Sequence, residues 1–155
     1  LPAGTAGEIL LRSPSLASHY WKDPGRTAEK FVGGWWRSGD LGRLDADGDL
    51  FVVGRTDNVI NTGGIKVHAE EVETALSRHP GVAMVAVVGA PDETWGRRVE
   101  AHVVRADPGL DEVALLAFCL EEAGLARMKL PKRVVFVDSL PTGPTGKLYR
   151  RGLLG

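Results

Sequence analysis

The sequence predicts an α+β protein in two parts: a strand-rich opening, then a small unit of helices laid on a mostly antiparallel sheet. Three observations predict it. Short β-type runs bounded by Gly, Pro and Asp dominate residues 1–53. After Gly54, two segments of helical period alternate with apolar strand-like runs. Between the two parts lies Gly54-Arg55-Thr56-Asp57-Asn58, where charged and polar side chains discourage burial; residues 54–58 are therefore the expected boundary.

In chain order, Glu8-Ile9-Leu10-Leu11-Arg12 and Asp49-Leu50-Phe51-Val52-Val53 read as strands. Asp45-Ala46-Asp47-Gly48 is a hairpin-type turn. The alternating Asp45, Asp47 and Asp49 invite a calcium-loop reading, but the expected glycine and the distal glutamate are missing, and the turn reading wins. Asp23 to Phe31 predicts a short helix, with Trp35 and Trp36 following at a turn. Val59-Ile60 and Ile65-Lys66-Val67 flank Asn61-Thr62-Gly63-Gly64, a hairpin by its turn chemistry. Ala69 to His79 predicts a helix with Val72, Ala75 and Leu76 on one side, stopped by Pro80-Gly81. Val82 to Val88 and Val99 to Val104 are strands. Asp111 to Ala123 predicts a helix capped by Asp111, with Val113, Leu116, Ala117 and Leu120 as the buried stripe. Arg133 to Val137 is the last strand, and a polar loop containing Lys147 follows it.

The bulk properties narrow the function. At 155 residues, 43% apolar and 25% charged, the chain is globular rather than disordered, and long enough for one ordinary domain or two small ones. A net charge of −1 supplies no global field for nucleic acid or an anionic membrane, and basic residues are interleaved with acids, so no nucleic-acid partner is expected. The single cysteine, Cys119, leaves no intrachain disulfide or thiolate metal site; in its apolar run it reads as a small core or flanking residue. His19, His68, His79 and His102 are scattered and read as structural or surface groups, and no metal-ligand spacing is present. No apolar run approaches the ~18 residues of a membrane span. The start, Leu1-Pro2-Ala3-Gly4, has neither an initiator methionine nor a signal-peptide pattern and reads as the middle of something larger. A reducing cytoplasm is the expected setting.

Two polar, glycine-rich stretches remain unexplained by packing. The first runs from Trp36-Arg37-Ser38-Gly39-Asp40 to Gly54-Arg55-Thr56-Asp57 and Thr62-Gly63-Gly64. The second is Pro141-Thr142-Gly143-Pro144-Thr145-Gly146-Lys147-Leu148-Tyr149-Arg150. Each joins charged side chains to glycines that let backbone approach a ligand, a composition suited to phosphate and ribose. Asp40 is either a turn aspartate capping backbone N–H groups or a carboxylate accepting two ribose hydroxyls. Arg55 and Asp57 equally suit an ion pair across a surface turn. Gly63-Gly64 suits the positive-φ pair of a hairpin whatever else it does. Lys147 is a solvated lysine or a phosphate contact. A phosphate-binding P-loop fails, because Pro141 and Leu148 stand where glycine and Ser or Thr are required. Lys147 would therefore meet a phosphate as a mobile point charge.

Taken in order, Trp36-Arg37-Ser38-Gly39-Asp40-Leu41, Gly54-Arg55-Thr56-Asp57, Thr62-Gly63-Gly64, Glu70-Glu71-Val72-Glu73 and Pro144-Thr145-Gly146-Lys147-Leu148-Tyr149-Arg150 resemble the C-terminal third of the adenylate-forming acyl-CoA synthetase superfamily. Gly7-Glu8-Ile9 and Tyr20-Trp21 look like the stretch preceding the first motif, and Pro91-Asp92-Glu93-Thr94-Trp95-Gly96 is similar to the acyl-CoA ligase branch. The resemblance implies that residues 1–53 end a large N-terminal AMP-binding domain, 54–58 form a hinge, and 59–155 form a mobile α+β lid. It implies an acid–CoA ligase using ATP with Mg2+, held mainly by the N-terminal domain, with CoA and a carboxylic acid as the other substrates. Lys147 then corresponds to the adenylation lysine, Asp40 to the ribose-binding aspartate, Arg55 to a nucleotide-binding arginine and Asp57 to the hinge. Gly63, Gly64 and Lys66 correspond to the CoA-binding face. Two positions depart from the family: Asn58 stands where a charged residue is common, and His68-Ala69 replaces a frequent proline. The alternatives are a peptide-synthetase adenylation domain and a non-catalytic interaction module of the same fold. The piece alone is expected to be inactive.

Overall fold

The computed structural model describes residues 1–154. The chain divides into two compact units, Leu1–Asp57 and Asn58–Gly155. The strands are β1 (Gly7–Leu11), β2 (Phe31–Val32), β3 (Trp35–Leu44), β4 (Leu50–Arg55), β5 (Val59–Thr62), β6 (Ile65–His68), β7 (Val82–Asp92), β8 (Gly96–Arg105) and β9 (Arg133–Phe136). The helices are α1 (Pro24–Lys30), α2 (Ala69–Ser77) and α3 (Glu112–Glu121).

In the first unit β3 is the hub, pairing antiparallel with β1, β2 and β4. The tryptophans expected at a turn lie instead at the start of β3, which carries the whole Trp36–Leu41 motif within a strand. Cross-strand pairing overrides the polar composition here: Trp36 pairs with both Leu11 and Phe31, and Leu41 with Gly54. The Asp45 turn forms as expected. One oxygen of Asp45, Oδ1, accepts from the N–H groups of Asp47 and Asp49 at 3.0 and 2.9 Å. Helix α1 is capped by Asp23, whose Oδ1 accepts from Arg26 N–H at 2.9 Å. Leu44, Leu50, Phe51 and Val52 remain exposed on this sheet.

The second unit holds the core. β7, β8 and β9 form a three-stranded sheet, antiparallel between β7 and β8 and parallel between β8 and β9. β5 and β6 form a separate hairpin. Both long strands outrun their sequence expectations, because the residues between them, Pro91 to Arg98, continue the ladder to a tight turn ending at Gly96. Val67, Val72, Leu76, Val87, Val99, Val103, Leu115 and Cys119 are fully buried against one another. Each such side chain contributes roughly 1.5–3 kcal/mol by leaving water. Burial pushes the Cys119 thiol above its ordinary value, so it stays protonated and inert.

Helix α3 starts where expected, Asp111 Oδ1 accepting from Ala114 N–H at 2.8 Å. Its buried face differs from the expected one: Leu115 and Cys119 are inside, and Val113 is 79% exposed. The helix is apolar almost all round, so hydrophobic spacing did not single out the inward face.

Candidate functional site

The β3–β4 register sets Asp40 opposite Arg55. Arg55 Nη1 donates to Asp40 Oδ1 at 2.6 Å, while its Nη2 is 3.9 Å from Asp57 Oδ2. The principal ion pair therefore crosses the sheet to Asp40 rather than closing the surface turn to Asp57. Asp57 is 77% exposed at its side chain and lies in the 3-10 turn Thr56–Asn58. The backbone around Asp40 is held from three sides. Asp40 N–H donates to Ser38 Oγ at 2.9 Å, Ser38 Oγ–H donates to Ile9 O at 2.9 Å, and Thr56 Oγ–H donates to Gly39 O at 3.1 Å. Gly39 has φ +79°, and a Cβ there would stand 3.1 Å from Arg55 Nη2 and 3.6 Å from Lys30 Nζ. A carboxylate fixed in this way, with its side chain 38% exposed, has acceptor capacity left for a vicinal diol.

In the second unit the β5–β6 hairpin turns through Gly63 and Gly64, at φ +55° and +83°. Gly63 N–H donates to Trp95 O at 3.1 Å, and a Cβ on Gly63 would fall 2.4 Å from Trp95 Cε3. The indole therefore lies flush against bare backbone. The β7–β8 turn holds it there: Asp92 Oδ1 accepts from the N–H groups of Thr94 and Trp95 at 3.0 and 2.9 Å. Arg98 braces the same turn through Pro91 O and pairs with the buried Glu100. Lys132 Nζ stands 5.8 Å over the indole. Trp95 entered the sequence reading only within the Pro91–Gly96 motif, with no site role, and Lys132 not at all. An aromatic residue in an otherwise polar turn was the available signal. Lys66, opposite Asn61 in the hairpin, is exposed.

Lys147 sits near the tip of a small hairpin. Tyr149 N–H donates to Pro141 O and Gly143 N–H to Lys147 O, both at 2.8 Å, and Thr142 bridges Leu148. Gly146, at φ +74°, makes the turn. The lysine is exposed, and no ion pair among the described residues involves it. Asn58, the last residue of the 3-10 turn, donates through Nδ2 to Glu70 Oε1 at 2.5 Å. Among the described residues no cluster of three His, Cys, Asp or Glu side chains is placed to hold a metal ion.

The candidate groups are thus Asp40 with Arg55 in the first unit, and in the second the Gly63–Gly64 backbone against the Trp95 ring and the exposed Lys147 on its hairpin. Comparison with known proteins gives the family. The family described as AMP-binding enzyme C-terminal domain matches residues 71–147. The fatty acid–[acyl-carrier-protein] ligase ScoC of Streptomyces coeruleorubidus is 44% identical over 99% of this chain and 29% of its own length. A 4-chlorobenzoate–CoA ligase from Arthrobacter sp. is 45% identical over 99% of this chain and 29% of its own. Among solved structures, o-succinylbenzoate CoA synthetase from Bacillus subtilis, in complex with its acyl-adenylate intermediate, superposes with a TM-score of 0.90. It shares 34% identity over 99% of this chain and 31% of that one. The chain belongs to the adenylate-forming acyl-CoA synthetase superfamily, and spans less than a third of the length of these relatives.

Proposed function

We propose that this chain is the C-terminal portion of an ATP-dependent acid–thiol ligase that makes acyl-CoA, AMP and pyrophosphate through an acyl-adenylate. Residues 1–53 end the N-terminal domain, 54–58 are the hinge about Asp57, and 59–155 are the lid. The exposed apolar side chains Leu44, Leu50, Phe51 and Val52 support a first unit completed by upstream chain. A reducing cytoplasm is its proposed setting.

The observation that carries this reading is Lys147, exposed and unpaired at the tip of a glycine hairpin. Adenylation is an in-line displacement at phosphorus, where the protein contributes mainly charge neutralisation. An ammonium about 4 Å from a phosphate oxygen, at an effective dielectric near 20, contributes on the order of 4 kcal/mol. At ~1.4 kcal/mol per factor of ten, that is ~10³ in rate. A lysine without an internal partner breaks no bond of its own in approaching the α-phosphate, or in withdrawing for the second step. Asp40 accepts the ribose hydroxyls, and Arg55, which orients Asp40, stands beside the nucleotide. In the second step the Gly63–Gly64 backbone admits the pantetheine thiol along a wall formed by Trp95, with Lys66 near by. Mg2+ belongs with the ATP phosphates; among the described residues no cluster of three His, Cys, Asp or Glu side chains is placed to hold it.

The test is made in the enzyme expressed from its whole reading frame. Lys147→Ala should lower pyrophosphate release from ATP and acid by ~10²–10³, while thioester formation from supplied acyl-adenylate is spared. Equal losses in both half-reactions would refute the lysine's role. The likeness to a ligase whose acceptor is an acyl-carrier protein favours a second acceptor, a carrier-protein thiol. Paired assays with CoA and with carrier protein separate the two.

A further inference from the structure

We propose that Glu73 and Arg150 are positioning residues that aim Lys147, an inference that rests on the adenylation role assigned to that lysine. The hairpin that carries the lysine has little to hold it. Its tip, Pro144 to Lys147, is exposed, and its only ladder is the Thr142–Leu148 bridge with its flanking hydrogen bonds. A hairpin this short is not self-supporting in water. Its direction must be set at the base.

The base is tied down at one carboxylate. Arg150 follows the hairpin directly, and its Nη2 donates to both oxygens of Glu73, at 2.9 Å to Oε1 and 2.8 Å to Oε2. The two residues are 77 positions apart in the chain. Glu73 lies on α2, and its Oε1 also accepts the N–H of Val87 in β7 at 2.8 Å. One carboxylate thus joins three elements: the helix, the sheet and the foot of the lysine hairpin. Both side chains are largely shielded, at 17% exposure for Glu73 and 28% for Arg150, so water screens the pair less than a surface ion pair. Arg150 Nε is buried without a hydrogen-bond partner, and the guanidinium is held to Glu73 through Nη2.

The geometry separates positioning from direct contact. Only Leu148 and Tyr149 separate Arg150 from Lys147, three Cα–Cα steps of at most about 11 Å, so a shift at the foot is carried to the backbone that bears the ammonium with little attenuation. Misplacing a reacting or neutralising group by about 1 Å can cost ~10²-fold in rate. Glu73 carries negative charge and cannot itself stabilise a phosphate. Any loss of adenylation on neutralising it must therefore travel through Arg150 and the hairpin.

Two measurements test this. In the 155-residue chain, Glu73→Gln keeps an acceptor for Val87 but removes the charge. Amide hydrogen exchange at Gly143 and Tyr149 should then quicken by about tenfold or more, while Ala101 and Val103 in β8 stay protected. In the enzyme from the whole reading frame, the same substitution should lower adenylation kcat by about 10–100-fold, leaving thioester formation from supplied acyl-adenylate within about threefold. Arg150→Met should do the same, and the double variant should lose no more than either alone. Unchanged exchange at Gly143 and Tyr149 overturns the proposal, as do additive losses, which would mean that Arg150 touches substrate directly. Faster exchange with normal adenylation also overturns it. In that case Lys147→Ala decides whether the lysine assignment falls as well: a harmless Lys147→Ala removes both, and a damaging one removes only the positioning role.

Discussion

Gly63 and Gly64 share one turn and one backbone region, yet alanine should be tolerated very differently at the two. Both have positive φ, where a Cβ costs about 1–2 kcal/mol. At Gly64 nothing lies within 4 Å of the added carbon, so that strain is the whole cost. At Gly63 the carbon would arrive 2.4 Å from Trp95 Cε3 and 2.9 Å from Cζ3, so the indole must leave its seat. Trp95 is 47% exposed, which leaves roughly 100 Å² of ring contact to lose. At ~25 cal/mol per Å² that adds about 2.5 kcal/mol as an upper figure. Gly63→Ala should therefore destabilise the second unit by about 2–4 kcal/mol and Gly64→Ala by about 1–2. Urea unfolding followed through NMR signals of Val87 and Val103 in the 155-residue chain reads each value for this unit alone. In a Trp95→Ala background the gap should close, since the clash has no partner. Equal costs at the two glycines, or a gap that survives removal of the indole, would refute the packing of Trp95 on bare backbone.

Two further outcomes follow from single contacts. Asn58→Asp restores a charge that is common in the family, but sets it against Glu70, whose Oε1 is now 2.5 Å from the amide and whose Oε2 is buried without a partner. It should destabilise the second unit by about 1–3 kcal/mol at pH 7, read by urea unfolding; a substitution without effect on stability would show that the contact is not made. In the first unit, hydrogen bonds from Arg37, helped by its charge, hold the Glu8 carboxyl below its ordinary value. Because the folded value is the lower one, the stabilisation is complete above the unfolded value near ~4.3 and is lost as pH falls through the folded one. Arg37→Gln should move the carboxyl titration of Glu8 upward in a carbon-13 NMR experiment, and an unmoved titration would disprove the pairing.

Much of the second unit is legible in the chain because its rules are local. The Asn61–Gly64 turn, the acidic first turn of α2, the Asp111 cap and the Pro80-Gly81 stop each depend on residues within one turn of one another. Hydrophobic spacing found Val72, Ala75 and Leu76 on α2, where polar residues mark the other face. It failed on α3, where apolar residues surround the helix and give no direction. Trp35 and Trp36 were expected at a turn, and Asp40 was left open between a turn and a ligand role, for a related reason. The glycine and charges of this segment are local turn signals, and only pairing with β1, β2 and β4 makes it a strand.

By itself the sequence determined that the chain carries an aspartate motif, a glycine pair and a lysine loop in family order; that the loop is a hairpin came from the fold. Turn chemistry also placed Gly63 and Gly64 where positive φ is needed, whereas the positive φ of Gly146 emerges only from the fold. Only the tertiary structure decided which groups meet: Asp40 with Arg55 through sheet register, Gly63 with the Trp95 ring, and Glu73 with Arg150 across 77 positions. The physical reason is range. Turn and cap preferences act over a few bonds, while ion pairs and ring contacts between distant segments exist only after the sheets and helices have fixed where each side chain points.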